Sequence, residues 1–191
     1  MKTVALAALI ACHAGLAADR FIEGVDHSSV RVLIYEDLQC PDCADFRRML
    51  DERLLPNYAT RVTFEHRDFP LAKHAWARKA AIAARFFDAG EPRVGVSFRR
   101  YCFEHQPEIN AANFSAKLAL FAKEHKVDPE KAAAALDDAG FAALVEKDFQ
   151  DGVARGIAHT PTALVNGQPF VEHFTYEEVA KAIDAELKAA Q

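Results

Sequence analysis

Strand patterning occurs near both ends of this 191-residue chain and is absent from the long stretch between. Val30-Arg31-Val32-Leu33-Ile34-Tyr35 has five apolar side chains in six, several of them β-branched or aromatic, and reads as a buried strand. Residues 61–67 alternate Val62, Phe64 and His66 with Thr63 and Glu65, the period of a second strand. The next such pattern is Thr162-Ala163-Leu164-Val165, then Asn166-Gly167, then Gln168-Pro169-Phe170-Val171. Asn-Gly between apolar runs is a strong hairpin signal. One sheet can unite these segments only if the middle is an insertion and the terminal hairpin returns to pair beside the first two strands.

The intervening sequence reads as helix. Between residues 42 and 55, apolar side chains recur at helical spacing at Phe46, Met49, Leu50 and Leu54, and Pro56 is expected to end that helix. Residues 72–155 supply four more: an alanine-rich helix over 75–88 closed by Gly90, one over 113–125, one opened by Asp128 with Pro129 at its first position, and one over 141–155 with Gly156 as its cap. A last helix starts at Thr175, where Glu178 completes a capping box and Val179, Ile183 and Leu187 form the apolar face. The fold class is therefore α/β with a helical insertion.

Bulk properties exclude several functions. Apolar residues at 51% support a real core, and charged residues at 27%, mixed in sign with a net charge of −5, describe neither a disordered chain nor a nucleic-acid-binding surface. Partners are expected to be proteins or small molecules. The first residues read as an export signal: Lys2 supplies one positive charge, an apolar run follows, and Gly15-Leu16-Ala17-Ala18 offers small residues for cleavage before Asp19. Leu9-Ile10-Ala11-Cys12 gives a second reading as the lipidation site of a lipoprotein, although the stretch before Cys12 is short for one. Either route delivers the chain to a compartment where disulfides form.

With Cys12 assigned to the signal, Cys40, Cys43 and Cys102 remain, an odd number that argues against a framework of structural disulfides. Cys102, in Phe98-Arg99-Arg100-Tyr101-Cys102-Phe103, is expected to be a buried small hydrophobe. Cys40-Pro41-Asp42-Cys43 follows the first strand and opens a helix. Disulfide exchange needs a thiolate that attacks in line and a second thiol within reach. The helix N-terminus stabilises an anion at Cys40, Pro41 suits the first helical position, and Cys43 returns to the same face one turn on. A zinc site would need two more ligands; Cys102 has no neighbouring cysteine and His105 is a poor substitute, so no metal is expected. Pro161, in Thr160-Pro161-Thr162 just before a strand, marks a special turn.

Taken in order, these features resemble the DsbA-like branch of the thioredoxin superfamily, the exported thiol-disulfide oxidoreductases. The resemblance spans about residues 22–188 and is carried by Tyr35-Glu36-Asp37-Leu38-Gln39-Cys40-Pro41-Asp42-Cys43, by Arg67-Asp68-Phe69-Pro70-Leu71 with His74, and by Gly156-Ile157-Ala158-His159-Thr160-Pro161-Thr162 with Asn166-Gly167. It implies a thioredoxin fold with a helical insertion: a signal at 1–18, a first half at 19–71, the insertion at 72–155 and a second half at 156–191. It further implies a cis-proline at Pro161, with the Thr160 backbone receiving the client's extended chain. Cys40 is then the exposed nucleophile or attacked sulfur and Cys43 its partner, with no cofactor beyond the thiols.

Two departures bear on tuning. Asp42 stands where strong oxidants often carry histidine, and its charge disfavours a thiolate at Cys40. His159 stands where glycine is frequent; its ring either faces Cys40 and offsets Asp42, or is an exposed loop side chain, the preferred reading. Glu36 and Asp37 read equally as a buried acid assisting Cys43 and as loop-surface carboxylates. The expected partners are client proteins with cysteines and a redox partner that reoxidises or reduces the pair, with the oxidase direction slightly favoured. Reductase and isomerase chemistry use the same cysteines, but dedicated isomerases carry an N-terminal dimerisation region, and here a monomer is expected. An exported chaperone, or a protein holding a soft metal ion on the pair, is the rival from another class.

Overall fold

The computed structural model describes residues 21–190. The expected signal at 1–18, the cleavage before Asp19 and the lipidation reading of Cys12 lie outside the described residues. Strands β1 (Phe21–Gly24), β2 (Arg31–Glu36), β3 (Thr63–Asp68), β4 (Thr162–Val165) and β5 (Gln168–Val171) form one sheet in the order β1-β3-β2-β4-β5. The central pair β2 and β3 is parallel, joined by α1 (Pro41–Met49) and α2 (Leu55–Tyr58), and the other pairings are antiparallel. The terminal hairpin therefore returns beside β2, as the sequence required. Its two-residue turn holds Asn166 at φ 44° and Gly167 at φ 97°, the left-handed pair that matches strand twist. Pro169 lies in β5, an edge strand, where its missing N–H leaves no gap inside the sheet.

Pro56 does not end the first helix. The chain widens into a π-helical turn over Leu50–Leu54, in which Leu55 N–H reaches the Leu50 carbonyl, and continues as α2 with Pro56 in its first turn. The wide turn accommodates the donor that proline lacks, so the helix is redirected and not stopped. Val30, Val32, Ile34, Phe46, Leu50, Phe64, Val165, Val179 and Ile183 join α1, the sheet and α8 (Tyr176–Ala189) in one apolar cluster.

Between β3 and β4 the chain builds α3 (Ala77–Gly90), α4 (Pro92–Glu104), α5 (Phe114–Glu124), α6 (Pro129–Ala134) and α7 (Ala139–Ala154). Helix α4 and strand β1 are additions to what the sequence pattern announced. Gly90-Glu91-Pro92 and Gly95 look like breakers, yet Pro92 fills the first position of α4. Gly95 is needed there because a Cβ would lie 2.8 Å from Asp88 Cα on α3. Cys102 is fully buried in the helical core with Phe87, Phe98 and Phe121, and burial pushes its thiol pKa up, as expected of a packing residue. Helix α7 comes so close to the sheet that a Cβ on Gly152 would sit 2.6 Å from the Phe69 ring.

Glu36 on β2 and Glu65, His66 and Asp68 on β3 are buried. Glu36 Oε1 lies 3.1 Å from His66 Nδ1 and 3.3 Å from Arg99 Nη1. Arg99 also reaches Asp68 at 2.8 Å, Arg85 reaches Asp68 at 2.6 Å and pairs with Asp148, and Arg67 reaches Asp148 at 2.7 Å. Each of these buried charges has an opposite partner, the condition for keeping it ionised away from water. Burial opposes a charge on His66, but the Glu36 and Glu23 carboxylates outweigh it and raise its pKa. Among the described residues no helix is long and apolar enough to cross a membrane.

Candidate active site

Cys40 ends the loop after β2 as the N-cap of α1, with extended backbone (φ −79°, ψ 124°), Pro41 at the first helical position and Ala44 N–H closing the first turn on the Cys40 carbonyl. Cys43 follows on the buried side of that turn. The loop is pinned from several directions. Cys40 N–H donates to the Asp37 carbonyl at 3.0 Å, and Asp37 N–H lies 3.4 Å from Cys43 Sγ. Gln106, just beyond α4, donates its amide to the carbonyls of Leu38 at 3.0 Å and Cys40 at 2.9 Å, while Gln39 accepts Trp76 N–H at 2.8 Å.

The Thr160–Pro161 peptide is cis, and Cys40 Sγ lies 3.3 Å from the Thr160 carbonyl oxygen. Strands β2 and β4 are antiparallel neighbours, which brings the proline loop over the start of α1. Cys40 and Cys43 are free thiols here. Cys40 is not the exposed sulfur the sequence suggested: the residue is 5% accessible, recessed in an open pocket of about 370 Å³ that Asp42, Lys73, His74, His159, Thr160 and Glu172 help to line. Recession follows from the proline loop lying across the helix start.

The two thiols differ in acidity. The Cys43 thiol does most to lower the Cys40 pKa to about 6, against the cost of burial, and the Thr160 side chain and the N–H groups of Cys43 and Asp42 add to it. Thr160 Oγ1 is buried without a hydrogen-bond partner while Cys40 is a thiol, so a Cys40 thiolate gives it an acceptor. Burial first, then the neighbouring Cys40, pushes the Cys43 thiol well above the usual range. Such a pair can hold one anion, on Cys40, while Cys43 stays protonated.

The sequence-derived residues are placed as follows. Cys40, Cys43, Pro41, Thr160 and Pro161 converge. Asp42 lines the pocket, and its N–H is among the groups that favour the Cys40 thiolate. His159 has a side chain 58% accessible and pairs with Glu172 at 3.2 Å, the exposed-loop reading. Glu36 and Asp37 are both buried, which removes the surface-carboxylate reading: Glu36 joins His66 and Arg99, and Asp37 accepts from Gln39 N–H, Leu71 N–H and His74 Nδ1. Gln106 went unread, because its partners Leu38 and Cys40 lie far from it in the chain and a lone glutamine carries no local signal.

A thioredoxin fold with a cysteine pair at a helix N-terminus beneath a cis-proline loop defines a class of thiol-disulfide oxidoreductases. The chain belongs to the thioredoxin family: the family model Thioredoxin_4, described as thioredoxin, matches residues 18–185. The chain is similar to disulfide bond formation proteins. Disulfide bond formation protein D of Bacillus subtilis (strain 168) is 27% identical over 168 residues, covering 86% of this chain and 76% of that protein. The crystal structure of oxidised BdbD from Bacillus subtilis aligns with a TM-score of 0.76 and 27% identity over 89% of this chain and 94% of that one. The fold is shared also with alpha-DsbA1 of Wolbachia pipientis, at a TM-score of 0.78 and 17% identity over 90% and 92% of the two chains.

Proposed function

We propose that this protein is an exported oxidase of client thiols, in which Cys40 is the sulfur that clients meet and Cys43 its partner. The observation that carries this reading is the asymmetry of the pair, with Cys40 at about 6 and Cys43 well above the usual thiol range. In the oxidase direction a client thiolate attacks Cys40 Sγ, a client–Cys40 disulfide forms, the Cys40–Cys43 bond breaks and its electron pair leaves on Cys43. A second client thiolate then attacks the client sulfur, the client disulfide forms, and Cys40 leaves as a thiolate. A Cys40 anion stable near neutral pH is a good leaving group and stabilises the reduced enzyme, both of which favour donation of the disulfide. A separate redox partner then takes the electron pair back. The Thr160 backbone beside Pro161 supports an extended client segment, and His159 with Glu172 forms an exposed rim.

The test is the equilibrium reduction potential of the Cys40–Cys43 couple in a glutathione buffer, using protein that begins at Asp19. A value near about −120 mV is expected of an oxidase; about −250 mV or lower would assign a reductase role to the same residues.

A further inference from the structure

His74 has no part in the chemistry above, yet it occupies a built position. It lines the same open pocket as Cys40. Its Nδ1 lies 2.8 Å from Asp37 Oδ2, and the Asp37 side chain is fully buried. That carboxylate is itself fixed by Gln39 N–H on one oxygen at 2.7 Å and Leu71 N–H on the other at 2.7 Å. A carboxylate only accepts, so Nδ1 carries the hydrogen, and whenever the ring is without its second proton the lone pair lies on Nε2. Nε2 makes no hydrogen bond among the described residues, and the side chain is 14% accessible. The ring is oriented by an acid and keeps a free basic nitrogen, as a general base requires. The same Asp37 holds Cys40 N–H on its carbonyl and offers its own N–H to Cys43 Sγ, so one residue registers the ring against both cysteines.

Resting on the redox reading of the pair, we infer that His74 Nε2 is the general base that takes the proton from an incoming client thiol, with Asp37 as its positioning residue. As the client sulfur attacks Cys40 Sγ, its proton passes to Nε2 and the client–Cys40 bond forms. The Cys40–Cys43 bond breaks with its electron pair on Cys43, and the imidazolium, facing Asp37, later returns its proton to water. An ordinary cysteine has a pKa of about 8.5, so at pH 6.5 only about 1% of it is thiolate. A base that removes the need for prior ionisation therefore gains at most about a hundredfold there, and nothing once the client thiol is ionised. The other charged groups around the pocket, Asp42, Lys73, His159 and Glu172, stay in place in the test.

The experiment follows the rate of mixed-disulfide formation between the oxidised protein and a cysteine-containing peptide from pH 5.5 to 9.5. It compares wild type with His74→Gln, whose amide can still donate to Asp37 but cannot take a proton. The expected result is a rate about ten- to a hundredfold lower in the variant near pH 6.5 and equal rates above pH 9. Equal rates at pH 6.5, or a loss by the same factor at every pH, would overturn the inference, the latter by assigning His74 a structural role. Should the variant not fold, the wild-type profile decides. A rate that levels off below the client thiol's own ionisation supports the base, and a tenfold rise per pH unit from 6 to 8 overturns it. A wild type inert even at pH 9.5 would instead overturn the redox reading, and this inference with it.

Discussion

The side-chain amide of Gln106 donates to the main-chain carbonyl of Cys40 at 2.9 Å and to that of Leu38 at 3.0 Å, a direct tie between the helical region and the redox loop. Removing the donor leaves the Leu38 carbonyl without this amide and the Cys40 carbonyl with Ala44 N–H alone. Gln106→Ala is expected to lose about 1–3 kcal/mol of stability, measured by urea unfolding of the reduced protein. A loss below about 0.5 kcal/mol would mean that water replaces the amide at no cost.

The acidity of Cys40 has a pH signature. Reduced protein should show thiolate absorbance near 240 nm rising with a midpoint at about 6, and Cys40→Ser should abolish that step. The folded pKa lies below the unfolded one, so this ionisation stabilises the dithiol form fully above about pH 9, and the contribution is lost as pH falls to about 6. Unfolding under reducing conditions at pH 5.5, 7 and 8.5 should therefore show wild type gaining stability over Cys40→Ser as pH rises. A constant difference would contradict the acidity assigned to Cys40.

Asp148 on α7 faces Arg67 and Arg85 and accepts Asp68 N–H at 3.1 Å. Its replacement strips a partner from a guanidinium that is 1% accessible. Asp148→Ala should cost about 3–5 kcal/mol, since losing one partner leaves a buried charge less compensated. Chemical denaturation checks it, and a loss within 1 kcal/mol would show that Asp68 alone suffices for Arg85.

Cys102 should be silent toward a thiol reagent in the folded state. Native reduced protein beginning at Asp19 is expected to react through Cys40 at a high rate and to release Cys102 only with global unfolding, because Cys102 is fully buried. Labelling of Cys102 at the same rate as Cys40 would show local opening of α4.

Whatever is encoded by neighbours in the chain was readable from the sequence. The Asn166-Gly167 turn, the Thr175 capping box, the strand over 31–36 and the position of Cys40 ahead of Pro41 each follow from residues a few places apart. What escaped depends on distant partners. Helix α4 carries Gly95, whose place is explained only by Asp88 of α3 packed against it. Glu36 reads equally as a buried acid and as a surface carboxylate, and the choice is made by Arg99, which reaches it from 63 positions away. The site divides in the same way: the cysteine pair and Pro161 announce themselves locally, whereas Gln106 arrives 66 positions from Cys40.

The contact between Cys40 Sγ and the Thr160 carbonyl joins positions 120 residues apart. A chain made from its amino end presents both cysteines long before the segment that covers them exists. Until β4 is laid beside β2, Cys40 lacks the Thr160 side chain that helps hold its thiolate. Part of the reactivity is in this sense a late property of the polypeptide: what Cys43 contributes comes with the motif, and what Thr160 contributes waits for the finished fold.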